Sequence, residues 1–143
     1  MVLLRFVSVI SVFAMMTVLL AQIGCAGHPA LPDVTSGPYT GPGMALDSSA
    51  AEYAVVVQAP TPGWVVGLDR VAEQYRHHAV FITLRRPNPG YLYPQVIVEQ
   101  RIATTVPTTG AVKVYARILD PDTRDSKAPY IMAGEGAGTL KRR

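Results

Sequence analysis

The sequence contains a single cysteine, Cys25, so no disulfide can form within one chain. Charged residues make up only 16% of the chain, and the basic groups Arg85-Arg86 and Lys141-Arg142-Arg143 are short and far apart. A nucleic-acid-binding surface requires a clustered basic stripe with aromatic residues between the charges. We therefore expect no nucleic-acid partner.

Sequence patterns for covalent catalysis are also missing. A nucleophilic Ser, Cys or Thr must lie beside a base and near backbone donors for the oxyanion, but no Gly-x-Ser-x-Gly motif occurs. The serines that follow the first 25 residues lie in segments that suggest flexibility, and these are Ser36, Ser48, Ser49 and Ser126. We expect a protein that is not an enzyme and has no cofactor.

Three patterns suggest chemistry but have simpler interpretations. His77-His78 cannot easily share a metal ion, because adjacent strand residues point to opposite faces. The acidic run Asp120–Asp125 resembles a calcium loop but lacks the turn glycine and the bidentate Glu, and Arg124 opposes a cation. A hydrolase pair of Asp69 and Glu99 would need both carboxylates in one cleft. We expect surface residues in each case, and no metal site.

The first 25 residues have the pattern of a secretory leader. Arg5 precedes the uncharged segment Phe6–Leu20, and small, weakly polar residues lead to Cys25. Gly24-Cys25 resembles the cleavage box of bacterial lipoproteins, in which the cysteine becomes the lipidated first residue. Alternatively, signal peptidase uses Gly24 and Ala26, or the apolar segment remains as a membrane anchor. All three alternatives predict export, and we favour lipid attachment at Cys25.

Flexible segments are predicted on both sides of one folded domain. Residues 26–51 are rich in Pro, Gly, Ser, Thr and Ala, and such a segment cannot bury enough apolar surface to offset its loss of entropy. Residues 132–143 contain a Gly-rich run. The sequence thus predicts a leader over 1–25, a disordered linker over 26–51, a β domain over 52–131 and a flexible tail over 132–143.

The apolar residues of the predicted domain recur with a period of two, which is typical of half-buried strands. Pro- and Gly-rich clusters separate these segments and favour turns. The predicted strands are Tyr53–Gln58, Gly63–Val71, His78–Arg85, Gln95–Thr104 and Ala111–Leu119. Short strands at regular spacing predict an all-β fold, a small antiparallel β-sandwich of the Ig-like kind or a partly open barrel.

Four short segments together resemble the PrcB C-terminal domain family. They are Thr61–Val66, with its Gly-aromatic turn, the strand Val80–Leu84, the loop Pro87–Gly90 and the strand Gln95–Val98. That family occurs in exported bacterial proteins, often lipoproteins, and is named for an accessory subunit of a surface protease complex. The resemblance implies a non-catalytic β domain and supplies no catalytic residues.

A second resemblance is to chagasin-type inhibitors of cysteine proteases, which are also small β-sandwiches. Ala59–Trp64 looks like their Asn-Pro-Thr-Thr-Gly-Tyr loop, with Ala59 in place of the Asn. Val114–Arg117 looks like the strand that leads to their Arg-Pro-Trp loop, although Ile118-Leu119 stands where Pro-Trp would follow. This resemblance implies an alternative function in protease inhibition.

We expect two loops to mediate contact with another protein of the bacterial cell envelope, because β domains commonly present binding loops on a rigid scaffold. The competing interpretation places Trp64 in the core and the two tyrosines at its edge. The predicted contact residues are Thr61, Pro62, Gly63 and Trp64 in the first loop, and Asn88, Pro89, Gly90, Tyr91, Leu92 and Tyr93 in the second. The predicted partners are thus an envelope protein and the membrane to which the leader or lipid attaches.

Overall fold

The computed structural model describes residues 30–124 and 127–137, which form eight strands and contain no helix. The leader, Cys25 and the end of the predicted tail lie outside the described residues. Nowhere in the described ranges does a helix occur that could cross a lipid bilayer. The strands are β1 (Val34–Thr35), β2 (Gly43–Asp47), β3 (Glu52–Ala59), β4 (Val65–Glu73), β5 (His78–Arg85), β6 (Val98–Pro107), β7 (Val112–Leu119) and β8 (Tyr130–Gly136).

Two sheets make up the fold, and the predicted all-β sandwich is confirmed. One sheet has five strands in the order β1-β8-β7-β5-β4, and the other has three in the order β2-β3-β6. Most neighbours are antiparallel, but β5 pairs with β7, and β1 with β8, in parallel. The chain leaves the five-stranded sheet after β5, adds β6 to the other sheet, and returns as β7 beside β5.

The main core lies between the sheets and is built by alternating side chains. In β5, Val80, Ile82 and Leu84 point inward and have no exposed surface. They meet the inward side chains of β3, β6 and β7. Besides those three residues, the core consists of Tyr53, Val55, Val57, Val106, Val112, Val114 and Ala116. Burying a Val, Leu or Ile side chain contributes about 1.5–3 kcal/mol, so this cluster is a major source of the sandwich's stability.

A second, smaller cluster covers the opposite face of the five-stranded sheet. Phe81 of β5 is 1% exposed although it points away from the main core. Its ring stacks on Tyr115 at a centroid distance of 5.2 Å and meets Tyr130 edge-on at 5.1 Å. β5 is therefore buried on both faces, which explains why its sequence between His78 and Arg85 is almost continuously apolar.

The domain is longer than the sequence suggests, and the predicted boundaries are wrong at both ends. The predicted linker over 26–51 contains β1 and β2, and β2 pairs along its length with β3. The predicted tail over 132–143 contains most of β8, which pairs with β7. The ordered sandwich thus reaches from β1 to Gly136.

Strand register defines the two ends of the sandwich. Val65 pairs with Arg85, Arg85 pairs with Leu119, and Val34 pairs with Tyr130. The start of β1, the β3–β4 and β5–β6 connections and the β7–β8 connection therefore share one end. We call it the entry end, because the chain enters the sandwich there. The β1–β2 connection also reaches this end, because Gly43 pairs with Gln58. The β2–β3, β4–β5 and β6–β7 connections and the end of β8 lie at the opposite end.

Candidate functional site

The two loops predicted to make contact lie side by side at the entry end. The first is the β3–β4 connection and the second is the β5–β6 connection. The ring of Tyr93 covers Gly63 so closely that a Cβ atom on Gly63 would lie 2.7 Å from two ring carbons. The structure therefore joins the two loops into one surface.

The first loop serves mainly as a base for the second. Thr61 is buried, and its carbonyl oxygen accepts a 3.4 Å hydrogen bond from the Trp64 N–H. Trp64 is half-buried and packs against the main core, and Gln100 Nε2 donates a 2.7 Å hydrogen bond to its carbonyl oxygen. Of the four predicted residues in this loop, only Pro62 is classed as exposed. The position of Trp64 agrees with its interpretation as a core anchor.

The second loop presents an apolar tip on a hydrogen-bonded turn. Asn88 Oδ1 accepts a 2.9 Å hydrogen bond from the Gly90 N–H, and the Asn88 carbonyl accepts one of 3.2 Å from the Tyr91 N–H. After this turn, Tyr91 is 68% exposed and Leu92 is fully exposed. The rings of Tyr91 and Tyr93 meet edge-on at 6.4 Å. Tyr93 thus belongs to the base, whereas Tyr91 and Leu92 project into solvent.

Three further apolar residues extend this surface and were not predicted as part of it. Val65, at the start of β4, and Val96 and Ile97, just before β6, are more than half exposed. The sequence predicted a strand over Gln95–Thr104, which included Val96, but β6 begins only at Val98. A short turn, in which the Val96 N–H donates to the Pro94 carbonyl at 3.0 Å, precedes the strand. The Pro after Tyr93 could have indicated this late start of β6, because proline disfavours regular strand pairing.

The acidic connection after β7 is held by arginines. Arg86 forms a 2.9 Å ion pair with Asp120, and Arg85 donates hydrogen bonds to the carbonyls of Asp120 and Thr123. The Thr123 N–H closes a turn onto the Asp120 carbonyl at 3.2 Å. In the described part of the chain, no group of three or more His, Cys, Asp or Glu residues could hold a metal ion.

The carboxylates of the hydrolase alternative do not converge. Glu99 pairs with Gln58 on the outer face of the three-stranded sheet. Asp69 belongs to β4 in the other sheet, where it bonds Thr83 on that sheet's outer face. The two acids therefore lie on opposite surfaces of the sandwich, and this pair cannot act together in one cleft.

Asp69 is instead the centre of a polar network that the sequence did not reveal. Its Oδ2 accepts hydrogen bonds from the Thr83 hydroxyl and, at 2.8 Å, from the Tyr130 hydroxyl. Arg117 Nε donates to the Thr83 hydroxyl at 2.8 Å, and its guanidinium lies 4.6 Å from the centre of the Tyr130 ring. Burial and the hydrogen bond to Asp69 raise the pKa of Tyr130. The network ties β4, β5, β7 and β8 together, and it engages the Arg117 that the protease-inhibitor alternative would use.

A groove of about 370 Å³ lies at the opposite end of the sandwich, where His77, Lys113 and Glu135 contribute to its lining. His77 Nε2 is buried and has no hydrogen-bond partner among the described residues. The adjacent His78 already belongs to β5. This groove brings together one imidazole, one amine and one carboxylate, and none of the side chains that line it is a Ser, Thr or Cys.

No protein-family model matches the chain, and neither a curated protein nor a solved structure does. The resemblances to the PrcB C-terminal domain and to chagasin-type inhibitors therefore rest on the sequence segments quoted above.

Proposed function

We propose that this protein is an exported, lipid-anchored, non-catalytic β domain that mediates protein–protein contact at the bacterial cell envelope. The observation that carries the proposal is the union of the two predicted loops through Gly63 and Tyr93, which leaves Tyr91 and Leu92 exposed on a firmly supported tip.

The tip has the properties of a binding surface. Large aromatic and aliphatic side chains cost free energy when they remain in water, and contiguous exposed apolar patches commonly mark interaction sites. The turn at Asn88 and the packing of Tyr93 limit the conformations of the loop. A preorganised loop loses less entropy on binding, which favours affinity.

The anchoring part of the proposal depends on the leader. An apolar segment ends at Gly24-Cys25, and a lipid on Cys25 would keep the domain at the membrane. Intact-mass measurement of the mature protein tests this directly. A mass that corresponds to a chain beginning with diacylated Cys25 is expected, whereas a chain that begins after Cys25 would contradict lipid attachment.

The protein contact is tested by affinity capture from detergent-solubilised envelope extracts, because detergent removes the bilayer and leaves protein contacts. The full chain and its Tyr91→Ala variant are compared with Tyr75→Ala as the matched control. Tyr75 is fully exposed but lies in the β4–β5 connection, at the opposite end. We expect Tyr91→Ala to reduce capture of a specific protein about tenfold, as loss of a binding hot spot does. Equal capture by all three proteins would contradict the proposal.

A further inference from the structure

The exposed apolar side chains are concentrated at the entry end. Ten large apolar side chains are exposed among the described residues, and seven of them lie at this end. Two are Leu31 and Val34, which lead into and begin β1, one begins β4, and four belong to the β5–β6 connection. The asymmetry shows that one end of the sandwich differs in character from the rest of its surface.

The same end is where the predicted anchor is attached. Because the ordered sandwich includes β1, the predicted linker of residues 26–51 shortens to residues 26–33. Nine peptide links separate Cys25 from Val34, where the ordered sandwich begins, and fully extended they span at most about 32 Å. The ten-residue strand β6 alone is about 33 Å long. Even fully extended, the tether is no longer than the sandwich, so attachment at the entry end favours the orientation in which that end faces the membrane.

We propose that the entry end rests on the lipid surface, with Leu92 and Ile97 in the headgroup region of the bilayer. This inference rests on the membrane attachment in the proposed function. It assigns Leu92 to lipid and leaves Tyr91, whose ring meets that of Tyr93 edge-on, for the protein partner. Aromatic and aliphatic side chains at the edge of a bilayer are the usual anchors of proteins that lie on a membrane.

The arrangement of the apolar side chains favours lipid over a protein partner at Leu92 and Ile97. β1 and β4 are the two edges of the five-stranded sheet, so Val34 and Val65 are separated by four strand spacings, about 20 Å. In protein interfaces, the hot spots cluster near the centre. A bilayer instead presents a plane, and side chains that are about 20 Å apart can contact it at the same time.

Electrostatic attraction contributes little to this contact. The described segments of the entry end, residues 30–33, 36–42, 60–64, 85–97, 120–124 and 127–129, carry four basic and three acidic residues. Binding to anionic headgroups depends on an excess of Lys and Arg near the surface. The contact therefore depends on apolar insertion, and it is expected on neutral and anionic lipids alike.

Site-specific photocrosslinking of the full chain in bacterial membranes tests the inference. The photoreactive residue p-benzoylphenylalanine replaces Leu92 or Ile97, and in the control it replaces Tyr75 at the opposite end. All three side chains are highly exposed, so the replacements should not disturb folding. We expect phospholipid adducts, identified by mass, at least fivefold more often at positions 92 and 97 than at position 75.

Two other outcomes would overturn the inference. Protein adducts in place of lipid at positions 92 and 97 would show that a protein, or the chain itself, covers this surface. Lipid adducts at equal frequency at all three positions, or at none, would show that the entry end does not face the bilayer. Failure of the proposed protein contact would appear separately, because the detergent capture with Tyr91→Ala contains no bilayer.

Discussion

The ring of Tyr93 lies on the backbone of Gly63, and this contact joins two loops that are 30 residues apart in the sequence. The backbone of Gly63 does not have a positive φ. Glycine is therefore required at position 63 because the Tyr93 ring lies so close, and not because of the backbone conformation. The contact fixes the direction in which the β5–β6 connection leaves the sandwich, and thereby the position of Tyr91 and Leu92.

Replacement of Gly63 should therefore disturb the proposed contact surface. In Gly63→Ala the new methyl group would meet three ring atoms of Tyr93 at 2.7–2.8 Å, and such overpacking costs about 1–3 kcal/mol. We expect a lower free energy of unfolding in urea and weaker partner capture. Gly67→Ala is the matched control, because a Cβ there meets nothing within 4 Å.

A double mutant tests the cause of that effect. If the methyl group acts through Tyr93, then Gly63→Ala should cost much less stability in a Tyr93→Ala background than in the wild type. Residues in contact show such non-additivity, with coupling of about 0.5–3 kcal/mol. Strictly additive effects would mean that Gly63 acts through something other than the ring.

A second prediction concerns the strand β2. The sequence predicted a disordered linker at this position, whereas the structure has a strand that packs on the core. Leu46 points inward beside the main core and pairs with Val55 of β3. Replacing a fully buried Leu with Ala lowers the free energy of unfolding by about 2–5 kcal/mol. Because Leu46 is half-buried, we expect a loss of about 1–2 kcal/mol for Leu46→Ala. Leu31→Ala, at an exposed position, should stay within about 0.5 kcal/mol of the wild type. Urea unfolding measures both, and no effect of Leu46→Ala would indicate that β2 is not part of the stable fold.

The predictable part of the fold came from alternation in strands that carry a full apolar face. His78–Arg85 is predicted with the bounds of β5, and Ala111–Leu119 differs from β7 by one residue. In both segments the inward residues are Val, Ile, Leu or Ala at every second position. Such a pattern specifies the strand and its buried face without knowledge of its neighbours.

β2 and β8 escaped prediction because their own sequences carry little signal. β2 has only Met44 and Leu46 as large inward residues, and its pairing with β3 supplies the rest of its stability. At Gly136 of β8, glycine reflects close packing, because a Cβ there would lie 3.0 Å from Leu46 and 3.1 Å from Val112. Composition alone cannot distinguish glycine that permits contact from glycine in a flexible tail.

The positions of the two loops between strands were predictable from the sequence, but the geometry that joins the loops was not. Pro and Gly clusters placed both loops correctly between strands. Nothing in the sequence indicated that Tyr93 would cover Gly63, or that Thr83, Arg117 and Tyr130 would converge on Asp69. These contacts join residues from different strands, and the order of strands in a sheet is not encoded in the alternation of any one of them.

The irregular pairing of β3 with β6 yields a third prediction. The register of the two strands shifts between Glu52 and Ala54. There the buried Thr104 hydroxyl donates a 2.6 Å hydrogen bond to the Tyr53 carbonyl and accepts one of 3.2 Å from the Val106 N–H. Thr104→Val keeps the shape but removes both bonds, and leaving buried polar groups without partners costs about 1–3 kcal/mol.

Thr105→Val is the control for that change, because the neighbouring threonine is exposed on the outer face of the same strand. Valine favours strands about as well as threonine does, so its free energy of unfolding should stay within about 0.5 kcal/mol of the wild type. Equal effects of the two substitutions in urea unfolding would show that the hydroxyl of Thr104 does not stabilise the bulge.

Alkaline pH should destabilise the sandwich through its buried tyrosines. Burial raises the pKa of Tyr39, and burial with the hydrogen bond to Asp69 raises the pKa of Tyr130. Unfolded tyrosine loses its proton near about pH 10, whereas these folded phenols keep theirs at higher pH. The native state then binds more protons than the unfolded state, so the free energy of unfolding falls as pH rises above about 10.

The slope of the free energy of unfolding against pH separates the contribution of Tyr130 from that of other groups. Each such tyrosine adds at most about 1.4 kcal/mol per pH unit to the decline. Tyr130→Phe loses the hydrogen bond to Asp69, so it should be about 1 kcal/mol less stable at neutral pH, but its stability should decline less steeply between pH 10 and about 12. Tyr75→Phe, at a fully exposed side chain, is the control. Urea unfolding at a series of pH values measures both slopes, and a Tyr130→Phe slope as steep as the wild type would mean that the phenol is not held protonated by its surroundings.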